Sequence, residues 1–182
     1  MNKKLFFKAF LRNPRQTGSV IQSSPFLARK MIEPVDFQKA KLIVEFGAGT
    51  GVITEKILEK MSRDAVLLCF EVDEGLFRKL KGRIQDPRVK LIRDSAENLG
   101  EYLDERGKAD CIISGLPLVS LSKATSQKIT AAVMRHLKGE GKYIQFQYSL
   151  TSKKEFKSLF FKVEIGFALL NIPPAFIYVC TR

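Results

Sequence analysis

Residues 42–51 read Leu-Ile-Val-Glu-Phe-Gly-Ala-Gly-Thr-Gly, and no other stretch restricts the folding of this chain as much. The apolar run Leu42, Ile43, Val44 has the character of a strand buried on both faces. It ends in an acid, Glu45, followed by glycines at alternate positions, Gly47, Gly49 and Gly51. Lacking Cβ atoms, such a turn closes tightly and lets a ligand approach the backbone. Ile53, Ile57, Leu58 and Met61 then recur at helical spacing. Strand, glycine turn and helix in this order form a cradle for a nucleotide cofactor.

The glycine spacing narrows the ligand. A dinucleotide fingerprint needs G-x-G-x-x-G, whereas here the third glycine comes one residue early and Val52 takes the fingerprint's last place, which argues against a pyrophosphate. A second apolar strand, Ala65 to Phe70, ends in Glu71, 20 residues after Gly51. A carboxylate there can accept both hydrogens of a ribose diol. A third, Val89 to Ile92, ends at Arg93-Asp94-Ser95. The Glu-x-Gly-x-Gly-x-Gly pattern resembles motif I of the class I S-adenosylmethionine-dependent methyltransferases. The resemblance implies that Glu45 orients the methionine amino end and that Gly47, Ala48, Gly49 and Gly51 let the cofactor come close. It further implies that Glu71, beside Val72, takes the ribose, and that Asp94 accepts from the adenine amine while Ser95 and Ala96 read the ring edge.

Beyond this cradle, strands are expected near 42–46, 66–70, 89–92, 110–114, 142–147, 162–170 and 175–181. Helices are expected near 52–61, 74–83, 95–105, 123–138 and 152–161, with Ser152 and Glu155 forming a capping box for the last. Such alternation predicts an α/β, doubly wound, mostly parallel seven-stranded sheet, a Rossmann-like methyltransferase fold. The last two strands are separated only by a turn around Pro173-Pro174 and should form an antiparallel hairpin. The 182 residues suffice for a single domain with a real core, here a basic N-terminal arm over 1–34 and a Rossmann-like core over 41–182, with no linker to a second domain.

No run of 18 apolar residues exists, and the apolar stretch after the first lysines is broken by Lys8 and Arg12, so neither a membrane span nor export is expected. Cys69, Cys111 and Cys180 fall inside expected strands and read as small buried hydrophobes of a reducing cytoplasm. No Cys/His spacing suits a metal, and His136, the only histidine, reads as a surface or helix-capping residue.

The net charge of +12 is uneven: Lys3, Lys4, Lys8, Arg12, Arg15, Arg29 and Lys30 precede the first acid, Glu33. Such an arm expects a polyanion, either an anionic membrane or nucleic acid. Residues 3–12 suit a short helix stopped by Asn13-Pro14, and Ser24-Pro25 starts another running to about Glu33. On the first, Lys4, Lys8 and Arg12 stack along one side while Leu5, Phe6, Ala9 and Phe10 make an apolar face. That helix can lie in a membrane interface or pack its rings on the protein's own sheet. An RNA-binding helix needs no cluster of three phenylalanines, so nucleic acid is the less favoured partner.

The fourth strand leads into Ser114-Gly115-Leu116-Pro117-Leu118, which should line the methyl-transfer site, since ligands sit beyond the carboxyl ends of strands. Enzymes that methylate adenine amines carry Asn/Asp-Pro-Pro-Tyr or Asn-Leu-Pro-Tyr here, the Asn gripping the amine and the aromatic stacking the flipped base. Gly115 and Leu118 replace those two groups.

Taken with Gly18-Ser19-Val20, Ser23-Ser24, Gln145-Phe146-Gln147-Tyr148 and Asn171-Ile172-Pro173-Pro174-Ala175, the chain resembles the bacterial phospholipid N-methyltransferases over nearly its whole length. These act on phosphatidylethanolamine and are cousins of the ribosomal RNA adenine dimethylases, the alternative reading. Ala48 stands where the family often has proline, Gln22 replaces a usual proline, and Ser149 replaces a glycine. The resemblance implies S-adenosylmethionine as methyl donor and an amine phospholipid as acceptor. It adds Ser19, Val20, Ser114 and Leu116 to the cofactor contacts and places Ser114, Gly115, Tyr148 and Asn171 at the transfer site. It implies anionic lipids bound through residues 1–15, and a cytoplasmic enzyme peripheral on the inner face of the membrane.

Overall fold

A computed structural model describes residues 24–103, 105 and 107–182. The expected helix over 3–12, the basic arm before Ser24, and Ser19 and Val20 lie outside the described residues.

Among the described residues seven strands form one sheet: β1 (Leu42–Phe46), β2 (Val66–Phe70), β3 (Val89–Ile92), β4 (Ala109–Ser114), β5 (Leu137–Gln147), β6 (Lys162–Ala168) and β7 (Ala175–Thr181). Their order is β3-β2-β1-β4-β5-β7-β6. β1 to β5 run parallel, while β7 inserts antiparallel between β5 and β6, the expected hairpin. The α-helices among the described residues are α1 (Pro25–Ile32), α2 (Val52–Leu58), α3 (Glu74–Arg83), α4 (Lys123–His136) and α5 (Lys153–Leu159). The chain winds outward from β1 to β3 and then returns to place β4 on the other side of β1. Ligands of open α/β sheets bind at such a reversal, beyond the carboxyl ends of the strands.

The sheet separates two cores. Leu27 and Met31 of α1, Ile53 and Ile57 of α2 and Ile43, Leu67 and Ile113 of the strands share one side. Ile129 and Val133 of α4 pack with Val44, Leu68 and Ile112 on the other. On that second side Tyr143, Phe156 and Tyr178 meet edge to face at 5.8 and 5.2 Å. Such contacts contribute about 0.5–1.5 kcal/mol each beyond burial. At the opposite edge from the glycine turn, Asp110 fastens β1 to β4: its Oδ2 accepts from the Lys41 and Leu42 amides, both at 2.9 Å.

Several boundaries differ from the sequence expectations. The capping box of α5 does not form. The Ser152 backbone is itself helical and its Oγ accepts from Gln147 Nε2 at 2.9 Å, because the buried Gln147 amide needs an acceptor. Residues 95–105 give a 3₁₀ helix over Ala96–Tyr102, its ladder shortened to bonds such as Asn98 N–H to Ser95 C=O at 3.0 Å. The helix expected over 52–61 ends at Leu58 and the strand expected over 162–170 ends at Ala168. α4 stops at His136, and Leu137 already pairs with Ala109, so β5 begins five residues earlier than expected. His136 is half-buried against Gly100, where a Cβ would lie 2.8 Å from its Nε2. Burial and the neighbouring Arg135 cation hold its pKa below the usual histidine range.

Candidate active site

Parallel pairing brings the ends of three strands level. Phe46 lies opposite Phe70 on one side and Ser114 on the other. The glycine turn, Glu71 and the Ser114–Leu118 loop therefore start side by side. The Gly47 and Ala48 amides both donate to the Phe70 carbonyl, at 2.9 and 3.0 Å, and the Gly115 amide donates to the Phe46 carbonyl at 2.8 Å.

Two glycines have distinct reasons. Gly49 has φ +58, a left-handed conformation, and among the described residues the nearest neighbour of a Cβ there would be 4.0 Å away. Its requirement is conformational, and the described residues leave room beside it where a ligand would lie. Gly115 is different: a Cβ would sit 2.9 Å from the Gly47 carbonyl oxygen. That neighbour is backbone and cannot step aside. Gly115→Ala should therefore lower stability by about 1–3 kcal/mol in urea titration and weaken cofactor binding by displacing the glycine turn. Gly139→Ala, with nothing among the described residues within 4 Å of the added Cβ, should leave both nearly unchanged.

The three acids occupy three different environments. Glu45 is fully buried inside β1; Thr54 Oγ1 of α2 donates to its Oε2 at 2.7 Å, with Cys69 Sγ at 3.4 Å. Its Oε1 has no hydrogen-bond partner among the described residues. Burial pushes its pKa up to about 7, against the lowering effect of Thr54. Glu71 follows β2, and its Oε2 accepts from the Gly49 amide while Oε1 accepts from the Asp73 amide, both at 2.8 Å. It thus fixes the glycine turn and keeps lone pairs for a ligand diol. Val72 beside it is exposed, an apolar surface next to the turn. Asp94 is already engaged: Tyr102 Oη donates at 2.8 Å, Asn98 Nδ2 at 3.0 Å and the Ser95 amide at 2.6 Å. These donors, Tyr102 first, hold its carboxyl below the usual range. Asp94 therefore organises the 3₁₀ helix that carries Ser95 and Ala96.

On the β4 side, Ser114 is fully buried and its Oγ accepts from the Leu116 amide at 3.3 Å. Gln145 Nε2 donates to the Leu116 carbonyl at 2.9 Å, and Tyr143 Oη donates to Gln145 Oε1 at 2.7 Å. Ser114 thus sits in the network that shapes the loop. Leu118 is buried within the core. Tyr148 and Asn171 come together at the same edge. Burial raises the Tyr148 hydroxyl pKa, partly offset by hydrogen bonding from the Asn171 side chain. Asn171 is itself buried: its Nδ2 donates to the Pro173 carbonyl at 2.6 Å and its Oδ1 accepts from the Ser24 amide at 3.3 Å. That last bond ties the start of α1 to the β6–β7 turn.

This arrangement fits a bound adenosyl cofactor on three counts. Every second residue of the turn lacks a side chain, the Glu71 carboxylate stands beside it, and among the described residues no donor reaches the buried Glu45 Oε1 under it. Residues 43–141 match the family model described as a methyltransferase domain. The chain belongs to that methyltransferase family. Its sequence is 28% identical to the ornithine lipid N-methyltransferase of Singulisphaera acidiphila over 97% of this chain and 94% of that protein. A ribosomal RNA small subunit methyltransferase A of Salinibacter ruber is 30% identical over 57% of this chain and 34% of that one. Among solved structures, the Burkholderia thailandensis 1,6-didemethyltoxoflavin-N1-methyltransferase with S-adenosylhomocysteine bound superposes with TM-score 0.67, 11% identity, and coverage of 98% and 86%. The fold is the class I methyltransferase fold, and S-adenosylmethionine is the methyl donor of this enzyme.

The structure thus gathers Glu45, Gly47, Ala48, Gly49, Gly51, Glu71, Val72, Asp94, Ser95, Ala96, Gly115 and Leu116 along one edge. It turns Ser114 inward and pairs Tyr148 with Asn171. Sequence reasoning gave no role to Thr54. A hydroxyl on the apolar face of α2, three residues after Gly51, was the available signal.

Proposed function

We propose that this methyltransferase transfers methyl groups to the amine of a membrane lipid headgroup of the phosphatidylethanolamine type, at the cytoplasmic face of the membrane. The observation that carries the proposal is the acceptor wall. At the position where an adenine methylase stacks its base stands Leu118, 4% exposed and packed in the core. At the position of the amine-gripping side chain stands Gly115, where no side chain fits. A planar base would forgo stacking of about 1–3 kcal/mol. A small amine needs no such platform. The full-length similarity to a lipid N-methyltransferase supports the same reading, as does the basic, phenylalanine-rich sequence of residues 1–15 as a lipid-docking arm.

S-adenosylmethionine, when bound, supplies an activated methyl on sulfur. The protein's own task is orientation, which lowers the barrier by holding reactants in line. Glu45 would hold the methionine amino end, Gly47, Gly49 and Gly51 would give the donor close approach, and Glu71 would hold the ribose, with Val72 and the Asp94–Ala96 segment against the adenine. Tyr148 has a raised pKa, so its hydroxyl stays protonated at neutral pH. It can position an amine by hydrogen bonding or by its ring face, and Asn171 fixes that hydroxyl. The amine must reach the site uncharged, and the donor's positive charge disfavours an ammonium beside it.

The test is label transfer from S-adenosylmethionine to phosphatidylethanolamine vesicles, ornithine lipid vesicles or unmodified ribosomal RNA. Label in either lipid is the expected result, and label in RNA alone would overturn the proposal. With lipid acceptor, Tyr148→Phe should lower kcat more than it changes donor affinity.

A further inference from the structure

Apart from Leu159 and Phe161 at the far end of α5, the large apolar side chains exposed among the described residues gather at one edge. Val119, Leu150, Phe167, Leu169, Leu170 and Ile172 all stand at the carboxyl edge of the sheet, the edge that carries the candidate active site. The topology explains their convergence. β7 runs antiparallel to β5 and β6 antiparallel to β7, so the β6–β7 turn returns to the level where β5 ends. Leu169, Leu170 and Ile172 form the tip of that turn, 66%, 68% and 84% exposed. Their exposure is built in. Between them Asn171 is buried and bonded to Pro173 and Ser24, which holds its neighbours outward. Monomeric soluble proteins rarely leave such a patch uncovered without a use for it.

Charge identifies what the patch meets. No acid occurs from Ile165 to Arg182 or from Gly141 to Lys154. Lys153 and Lys154 are exposed just beyond Leu150, at the start of α5. Apolar side chains framed by lysines and free of carboxylates suit an anionic lipid surface, where the apolar groups enter the acyl boundary and the cations remain among headgroups.

We infer that the β6–β7 tip is a membrane-insertion element: Leu169, Leu170 and Ile172 enter an anionic bilayer and hold the mouth of the site, with Tyr148 and Asn171, against the lipid headgroups. The inference rests on the lipid-acceptor reading for its purpose, but it concerns a surface separate from residues 1–15. It explains how a headgroup amine could reach the site without its acyl chains leaving the bilayer.

The chain contains no tryptophan, so a single introduced one reports its own surroundings. Leu170→Trp in the full chain should give a blue-shifted emission on adding phosphatidylglycerol/phosphatidylcholine vesicles and be quenched by brominated lipid. Phe161→Trp, 93% exposed and at the opposite end of α5, should show neither. Leu169→Ser with Leu170→Ser should weaken vesicle co-sedimentation by roughly tenfold or more, as expected for two apolar groups kept in water. The same variant should methylate a water-soluble short-chain amine lipid like the parent. An unshifted Leu170→Trp emission on protein that sediments with vesicles would overturn the inference. So would emission already blue-shifted without vesicles, which would mean that the arm or a second copy covers the tip. These vesicles contain no amine lipid, so docking is read independently of the acceptor. Tip insertion with no label in lipid would refute the acceptor reading alone.

Discussion

Glu71→Ala should lower S-adenosylmethionine affinity by at least about a hundredfold in calorimetry while the protein stays folded by circular dichroism. Two ribose hydroxyls donating to one carboxylate make two charge-assisted bonds, each contributing about 1.5–3 kcal/mol. The same carboxylate fixes the surface under the ligand, since its two oxygens hold the Gly49 and Asp73 amides at 2.8 Å each. Alanine removes the ligand's acceptor and releases the turn together, so preorganisation is lost along with the direct contact. Glu71→Gln, which keeps one oxygen and loses the charge, should fall between. The loss in folding stability should be smaller than the loss in binding, because both freed amides lie near the surface and can reach water. An Ala variant with unchanged affinity would mean that the cofactor sits elsewhere.

The parts of this molecule legible in the sequence are those whose information is local. β1, β2 and β3 run Leu42–Phe46, Val66–Phe70 and Val89–Ile92, as expected, because each is a short apolar run closed by an acid or glycines. Glu45 and Glu71 could be singled out for the same reason. The failures arise where a distant partner decides. Ser152 has the right neighbour for a capping box but is claimed by Gln147, and Leu137 looks helical until its parallel pairing with Ala109 is counted. The Ser24–Asn171 bond spans 147 residues, and no periodicity announces it. Gly115 is the instructive intermediate. The sequence shows that the amine-gripping side chain is missing there, and the Gly47 carbonyl 2.9 Å from its would-be Cβ shows why none can be added to this backbone.

The ligand-free protein should become less stable as pH rises from about 4.5 to about 7, and Glu45 should account for the slope. Burial of its carboxyl, outweighing the bond from Thr54, lifts its pKa from 4.5 to about 7. Below 4.5 the folded and unfolded chains both hold the proton. Between the two values the unfolded chain ionises first while the folded chain retains its proton, so stability declines with pH, and above 7 the loss is complete. The full effect is about 3 kcal/mol, visible as a falling midpoint in urea titrations across that window. Glu45→Gln should remove this slope and be the more stable form at pH 8. The same residue predicts what binding does. An ammonium placed against Oε1, which no donor among the described residues reaches, would favour the ionised carboxylate, so S-adenosylmethionine binding near pH 6 should release a proton. Calorimetry in buffers of different ionisation enthalpy measures that release directly. Glu45→Gln should bind more weakly and release none; an unchanged proton count in the variant would assign the titration to another group and leave Glu45 a purely structural acid.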